Sequence, residues 1–283
     1  MSWFWISVAC SAINFVFFKA FERWKIHTFQ ALATNYVLCV LLGLWLLPNG
    51  QSLSITTPWL PWAILIGGFY ILIFWMIGRS TIAVGVAPTA IAAKLSMVIP
   101  VTAAYLLYDD KFTVSGLIAL ILAVLAISLT SRKTVTQRHQ NNLWKLPLLI
   151  FLSAGTADFL LKHTETTYLQ PADNALFLVV LFGAAACIGW LVMGVGWMRG
   201  TLKLNFKSLG AGLLLGLTNF FSVYGILFAL KTLNASTLFP ANNLAIILLS
   251  AALAALLFGE RLQKRQYYGV LLALLAMVIL LWR

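Results

Sequence analysis

AVGVAPTAIAAKLSMVIPVTAAYLLYDDKF, residues 83–112, and TLNASTLFPANNLAIILLSAALAALLFGERL, residues 232–262, are two versions of one pattern. Each has a proline near its start, Pro88 and Pro240, then a long apolar body, then an acidic residue at its close, Asp110 and Glu260. At 1.5 Å of rise per helical residue, each body is long enough to cross the roughly 30 Å hydrocarbon layer of a bilayer. A second, looser match joins SAINFVFFK, residues 11–19, to SAGTADFLLK, residues 153–162, with one insertion. The chain therefore reads as one unit written twice.

Working outward from these stretches, charged residues and Pro/Gly/Asn-rich breaks cut the sequence into ten apolar spans. They lie near 2–20, 28–47, 59–78, 84–107, 112–130, 145–162, 174–197, 207–230, 236–258 and 265–283. The longest polar stretch, SRKTVTQRHQNN from Ser131 to Asn142, divides them five and five. The division gives a first repeat over residues 1–133, a linker over 134–143 and a second repeat over 144–283. The spans are continuously apolar rather than alternating, which excludes a barrel and leaves helices. The expected fold is all-α integral membrane, ten transmembrane helices in two five-helix repeats. Five is odd, so the second repeat enters the membrane inverted, and such repeats place a site between the halves near the midplane.

Composition agrees. Of 283 residues 62% are hydrophobic and 9% charged, with mean hydropathy +0.96, whereas a soluble domain carries about 25% charge. The net charge of +12 comes from 19 Lys and Arg scattered over short loops, with no basic stripe for a nucleic acid. Fourteen of the 19 follow odd-numbered spans, Arg23, Arg79, Arg199 and Arg265 among them. By the positive-inside rule those connections are cytoplasmic and both termini face outward. No basic residue precedes the first apolar run, so a removable signal peptide is not expected and the run is read as a span.

Cys10, Cys39 and Cys187 lie inside apolar segments, and His27, His139 and His163 lie at span ends or in the linker, with no metal-ligand spacing. There is no phosphate-cradling loop and no nucleophile with a base. Neither cofactor nor metal nor enzymatic activity is expected.

YDDKF and FGERL, each closing the fourth span of its repeat, together with FGERLQKRQYYGVLLALLAMVILL (residues 258–281), give the chain its resemblance to the drug/metabolite transporter superfamily, specifically its EamA-type branch. Over its whole length the chain is similar to ten-helix permeases of that branch. FFKAFERWKIHTFQALATNY and KLSMVIPV resemble a Bacteroidetes-type sub-branch. In the first repeat Tyr108-Asp109-Asp110 replaces the Gly-Glu pair. The resemblance implies a carrier in the bacterial inner membrane that alternates its access. Its cavity would be lined by spans 1–4 and 6–9, with spans 5 and 10 outside, where they offer a surface for a homodimer. Relatives carry basic residues after the second span and both termini in the cytoplasm, whereas GQSLSITTP here is uncharged. The two indications of orientation oppose each other.

Lys94 is the leading site residue. An ammonium within a span costs about 2.5–3.5 kcal/mol on insertion scales, and Ala90, Ile91, Met97 and Val98, its neighbours one turn away, offer it no side-chain acceptor. Its partner is a group on another helix, water or a substrate anion. Asp158 is a deep carboxylate suited to proton coupling, with two structural alternatives: an i,i+4 pair with Lys162, or a pair with Lys94 across the repeats. Pro88, Pro100 and Pro240 mark hinges or kinks at corresponding places of the fourth and ninth spans. Asn242 and Asn243 either orient a polar substrate or glue helices together.

Ser7, Ser11, Asn14, Asn35, Asn219 and Ser222 are candidates for lining the cavity, each with packing as the plainer reading. Tyr70, Phe74, Trp75 and Tyr224 are candidates for an aromatic wall, with Phe74 expected to face lipid. Tryptophans at span ends, including Trp3, Trp5, Trp24, Trp59, Trp62, Trp144, Trp197 and Trp282, read as interface anchors. Gly212 with Gly216, and Ala251, Ala255 and Gly259, have small-residue spacing for helix packing. The expected function is secondary transport of a small polar or zwitterionic metabolite, with a non-transporting scaffold or a lipid-pathway accessory protein as the alternatives.

Overall fold

In lipid an apolar run can satisfy its backbone N–H and C=O groups only by coiling on itself. The structure is a computed structural model that describes residues 2–47, 57–100, 114–130, 145–170, 173–229, 235–260 and 263–281, and among these there is no strand. In chain order the helices are α1 (Ser2–Arg23), α2 (Thr28–Trp45), α3 (Leu60–Ala83), α4 (Val86–Leu95), α5 (Val114–Thr130), α6 (Leu146–Thr167), α7 (Asn174–Met198), α8 (Phe206–Ala229), α9 (Ala235–Phe258) and α10 (Lys264–Leu281). Seven of them, α1, α2, α3, α6, α7, α8 and α9, are long and apolar enough to cross a membrane. Asp109, Asp110, the linker and Trp144 and Trp282 lie outside the described residues.

The helices of the two halves interleave. Helix α1 packs on α8 and α9, and α6 packs on α3 and α4; α2 meets α7 and α8, and α7 meets α3 in turn. Helix α4 meets α9, and α5 meets α10. The more extensive contacts between halves map onto one another when each helix is exchanged with the one five places along, while the smaller α4–α10 and α5–α6 contacts do not.

Helices α8 and α2 approach one another at backbone contact. A Cβ at Gly212 would stand 2.5 Å from the carbonyl oxygen of Ala31, and one at Gly216 would stand 2.8 Å from that of Asn35. Small residues one turn apart let the two backbones touch. The parallel expectation for Ala251, Ala255 and Gly259 is corrected. Ala255 is exposed, and a Cβ at Gly259 would meet nothing within 4 Å. Gly259 has φ +64° and its N–H donates to the carbonyl of Ala255 (3.1 Å), so it ends α9 with a left-handed cap instead of packing it.

Two aromatic expectations also change. Trp5, Trp24 and Trp197 are exposed at helix ends, as anchors are. Trp59 is instead buried, with its ring edge-on to Phe177 and its indole N–H donating to Asp173 Oδ2 at 3.3 Å. It staples the start of α3 to the start of α7, and the buried N–H is satisfied by a side chain that the sequence places 114 residues away. Phe74 does not face lipid; it sits edge-on between Phe18 and Tyr36, because the face of α3 that carries it is turned toward α1 and α2.

Candidate functional site

Helix α4 stops after ten residues, turns at Ser96 and Met97, and resumes at Val98. Pro100 is the cause. It has no N–H for the carbonyl of Ser96 four residues back, and its ring crowds that carbonyl. The Ser96 carbonyl accepts from the N–H of Ile99 at 2.9 Å instead, a tighter turn. Of the other two prolines, Pro88 is corrected as a kink. Pro88 stands third in α4, in the first turn, where a helix has no use for the missing N–H. Helix α9 is continuous from Ala235 to Phe258, with Pro240 sixth in it, where the ring withholds an N–H from the Ser236 carbonyl. Among the described residues the helix is interrupted in α4 and continuous in α9.

The break presents Lys94 and Ser96 to α6. Lys94 and Asp158 lie within electrostatic reach of each other, and Tyr70 of α3 lies within reach of the same carboxylate. Ser96 Oγ is placed to donate either to the carbonyl of Ala93 (2.8 Å) or to Asp158 Oδ2 (3.3 Å). Lys94, Asp158 and Tyr70 are each half-buried, whereas Ser96 beside them is buried. We read these three side chains as lining a cleft. Among the described residues the ion pairs closed within 4.0 Å are Lys19–Glu260 and Lys162–Glu165, and Lys94–Asp158 is not one of them.

Asp158 therefore does not pair with Lys162. Lys162 lies 3.8 Å from Glu165, and both side chains are more than half exposed. Helical spacing offered Lys162 two acidic neighbours, Asp158 on one turn and Glu165 on the next, and the wet one wins because pairing there leaves no charge to be desolvated.

Asn243 of α9 closes the other side of the break. Its Nδ2 donates to the Lys94 carbonyl (3.4 Å) and lies 3.0 Å from Met97 Sδ, so it acts as interhelical glue at the site's edge. Asn242, beside it, is buried with an Oδ1 that finds no hydrogen-bond partner among the described residues. The Tyr36 hydroxyl and Asn35 Nδ2 are in the same condition. Buried polar atoms are nearly always satisfied, so such orphans call for a ligand or water. Tyr36 lies within electrostatic reach of Tyr70, which extends the polar strip from α4 and α6 toward α2. Sequence reasoning passed over Tyr36 and Ser96; Tyr36 sits in a helix whose apolar residues run round it without a stripe, so no periodicity marks its face.

The remaining candidates form other structures. Asn14 Oδ1 accepts from the Thr218 hydroxyl (2.5 Å), and Asn219 Nδ2 donates to Asn35 Oδ1 (3.2 Å) with Cys39 Sγ at 3.7 Å. Ser222 Oγ donates to the Asn219 carbonyl (2.9 Å), while the Ser222 carbonyl accepts from Ser7 Oγ (2.7 Å). These bonds tie α8 to α1 and α2. The aromatic wall does not form as one surface. Trp75 lies under the guanidinium of Arg79 (5.5 Å), and Tyr224 belongs to a cluster with Trp3, Phe220, Phe221 and Phe228 between α1 and α8. Tyr70 alone of that set stands at the charged cleft. Asn219→Ala is expected to lower stability by about 1 kcal/mol and to leave ligand affinity unchanged, as read by thermal melting with and without ligand. Weakened ligand binding at an unchanged melting temperature would return Asn219 to the site.

Comparison with known proteins follows the same direction. An uncharacterized protein of Haemophilus influenzae is 25% identical over 285 residues, which span 97% of this chain and 95% of that protein. A solved crystal structure of a protein superposes with a TM-score of 0.50 at 10% identity, covering 96% of this chain and 97% of its own, and so shares the fold. Residues 145–282 match the EamA-like transporter family. The described residues thus hold seven helices long and apolar enough to cross a membrane, and the second half of the chain is similar to the EamA-like transporter family, which supports a place in the drug/metabolite transporter superfamily.

Proposed function

We propose that the chain is a secondary transporter that moves a small zwitterionic metabolite, an amino acid or related compound, across the bacterial inner membrane by alternating access. The observation that carries this reading is the pair Lys94 and Asp158. Two opposite charges, both half-buried, stand within reach of one another without closing a contact of 4.0 Å or less. Separated in this way, Lys94 takes the substrate's carboxylate and Asp158 its ammonium. In the empty protein each offsets the other, so neither is an isolated charge in a low-dielectric interior. Asn242 Oδ1 and the Tyr70 and Tyr36 hydroxyls offer further hydrogen bonds. Asp158 is also the residue on which proton coupling would rest, since a proton there and a substrate ammonium compete for one carboxylate.

The ten-span, inverted-repeat arrangement belongs to the same proposal, with repeats at 1–133 and 144–283 joined by the linker at 134–143. The self-mapping contact pattern of the two halves supports it. Helices α5 and α10 pack on each other, and their outer faces, with Ile121, Leu125, Leu271 and Leu275, remain exposed for lipid or for a second copy of the chain.

The test is counterflow in proteoliposomes preloaded with mixed unlabelled amino acids. Accumulation of at least one labelled amino acid is the expected result, with monocarboxylates and simple amines of similar size competing poorly. Absence of counterflow for every zwitterion, or equal transport of the simple amines, would overturn the substrate class.

A further inference from the structure

Glu260 is placed with care for a residue in a short connection. The left-handed cap at Gly259 turns the chain back, and the Glu260 N–H donates to the carbonyl of Ala254 (3.3 Å). Its carboxylate thereby leaves the second half and reaches the first. Glu260 Oε2 accepts the backbone N–H of Val86 (3.1 Å) at the start of α4, and Oε1 lies 3.5 Å from Lys19 Nζ at the end of α1. Lys19 Nζ is also 3.4 Å from the carbonyl of Thr81 in the last turn of α3. Each charge thus meets the helix end that suits it, the carboxylate an N-terminus and the ammonium a C-terminus. Gly85 makes the approach feasible. Its φ of +104° belongs to glycine, and a Cβ there would stand 3.1 Å from Glu260 Oε2.

Two features make this more than a helix cap. The cluster joins α1 and the α3–α4 junction of one half to the α9–α10 junction of the other, on the face where odd-numbered helices end. Second, α4 is only ten residues long, about 15 Å, with its first residue held by Glu260 and its next-to-last residue Lys94. One short rigid element therefore connects the cluster to the cleft. We propose that Lys19, Glu260 and the amino terminus of α4 form a latch that closes one mouth of the pathway, and that it opens when α4 and α9 part on that side. Both side chains are 22% exposed, so water can replace the contact and the latch is breakable, unlike a fully buried pair.

This inference rests on the alternating-access reading, so its test uses a readout that needs no substrate. In hydrogen–deuterium exchange on the purified full chain, Glu260→Gln is expected to speed exchange about threefold or more, both in the first turn of α4 and around Asp158 in α6. Lys19→Met removes the ion pair but leaves the α4 cap, and is expected to do the same more weakly; it also covers failure of the first variant to fold. Faster exchange confined to the first turn of α4 would reduce the cluster to a cap and overturn the proposal. A disulfide or short thiol cross-link between Lys19→Cys and Glu260→Cys is expected to slow exchange around Asp158 and to stop any counterflow until reduced. A cross-linked protein that exchanges or transports like the reduced form would overturn the latch. Absence of counterflow from every protein would tell against the transport reading alone, because the exchange result still decides the latch.

Discussion

Lys94→Ala is expected to reduce counterflow by about 100-fold or more, the scale of loss when one member of a desolvated charge contact is removed. It is also expected to destabilise the bundle by about 3 kcal/mol, because Asp158 is left without its counter-charge. Loss of activity alone would not separate a site from a structural pair. The double variant Lys94→Met/Asp158→Asn does. It removes both charges at nearly constant volume and should recover most of the lost thermal stability, since a neutral pair of similar shape has no charge to desolvate. Transport should stay lost, because neither end of a zwitterion finds its counterpart. Recovery of both stability and counterflow in the double variant would show that the two residues serve only the fold.

The second large effect is expected at Gly212. Valine there brings carbon into the space held by the Ala31 carbonyl oxygen and Thr34 Cβ, 2.5 and 2.7 Å from where its Cβ would lie. The obstruction is backbone, which no side-chain rotation relieves, so α8 must move off α2 at a cost of about 3 kcal/mol. The displacement also stretches the Asn219–Asn35 bond and the seat of Gly216 against Asn35. Gly210→Ala is the control, since a Cβ there meets nothing within 4 Å. Melting in detergent, followed by tryptophan fluorescence, should separate the two variants by several degrees. Equal melting temperatures would mean that α2 and α8 do not approach as closely as described.

The cleft shows how far one sequence can be read. Lys94 stood out because a charge in an apolar run is costly wherever the helix points, and Pro100 because a missing N–H acts locally. Neither inference required a partner. Asp158 was equally visible, but the choice among Lys162, Lys94 and a proton depended on how far α6 is rotated toward α4. Trp59 read as an interface anchor for the same reason: its position at a helix end was plain, and Asp173 across the bundle was not. Glu260 and Lys19 were legible as charges at helix ends, and nothing in the spacing of residues 241 positions apart says that they meet.

The sequence by itself determined that the chain is helical, that it belongs in a membrane, and where its apolar runs begin and end. Those outcomes follow from length and hydropathy, and a backbone without water has a single remedy. Which face of each helix turns inward was decided only by the tertiary structure. A helix apolar on every side carries no stripe to announce its buried face. The few polar atoms that fix the rotation, at Asn14, Asn35, Asp158 and Glu260, act through partners on other helices, and those partners exist only once the bundle has formed.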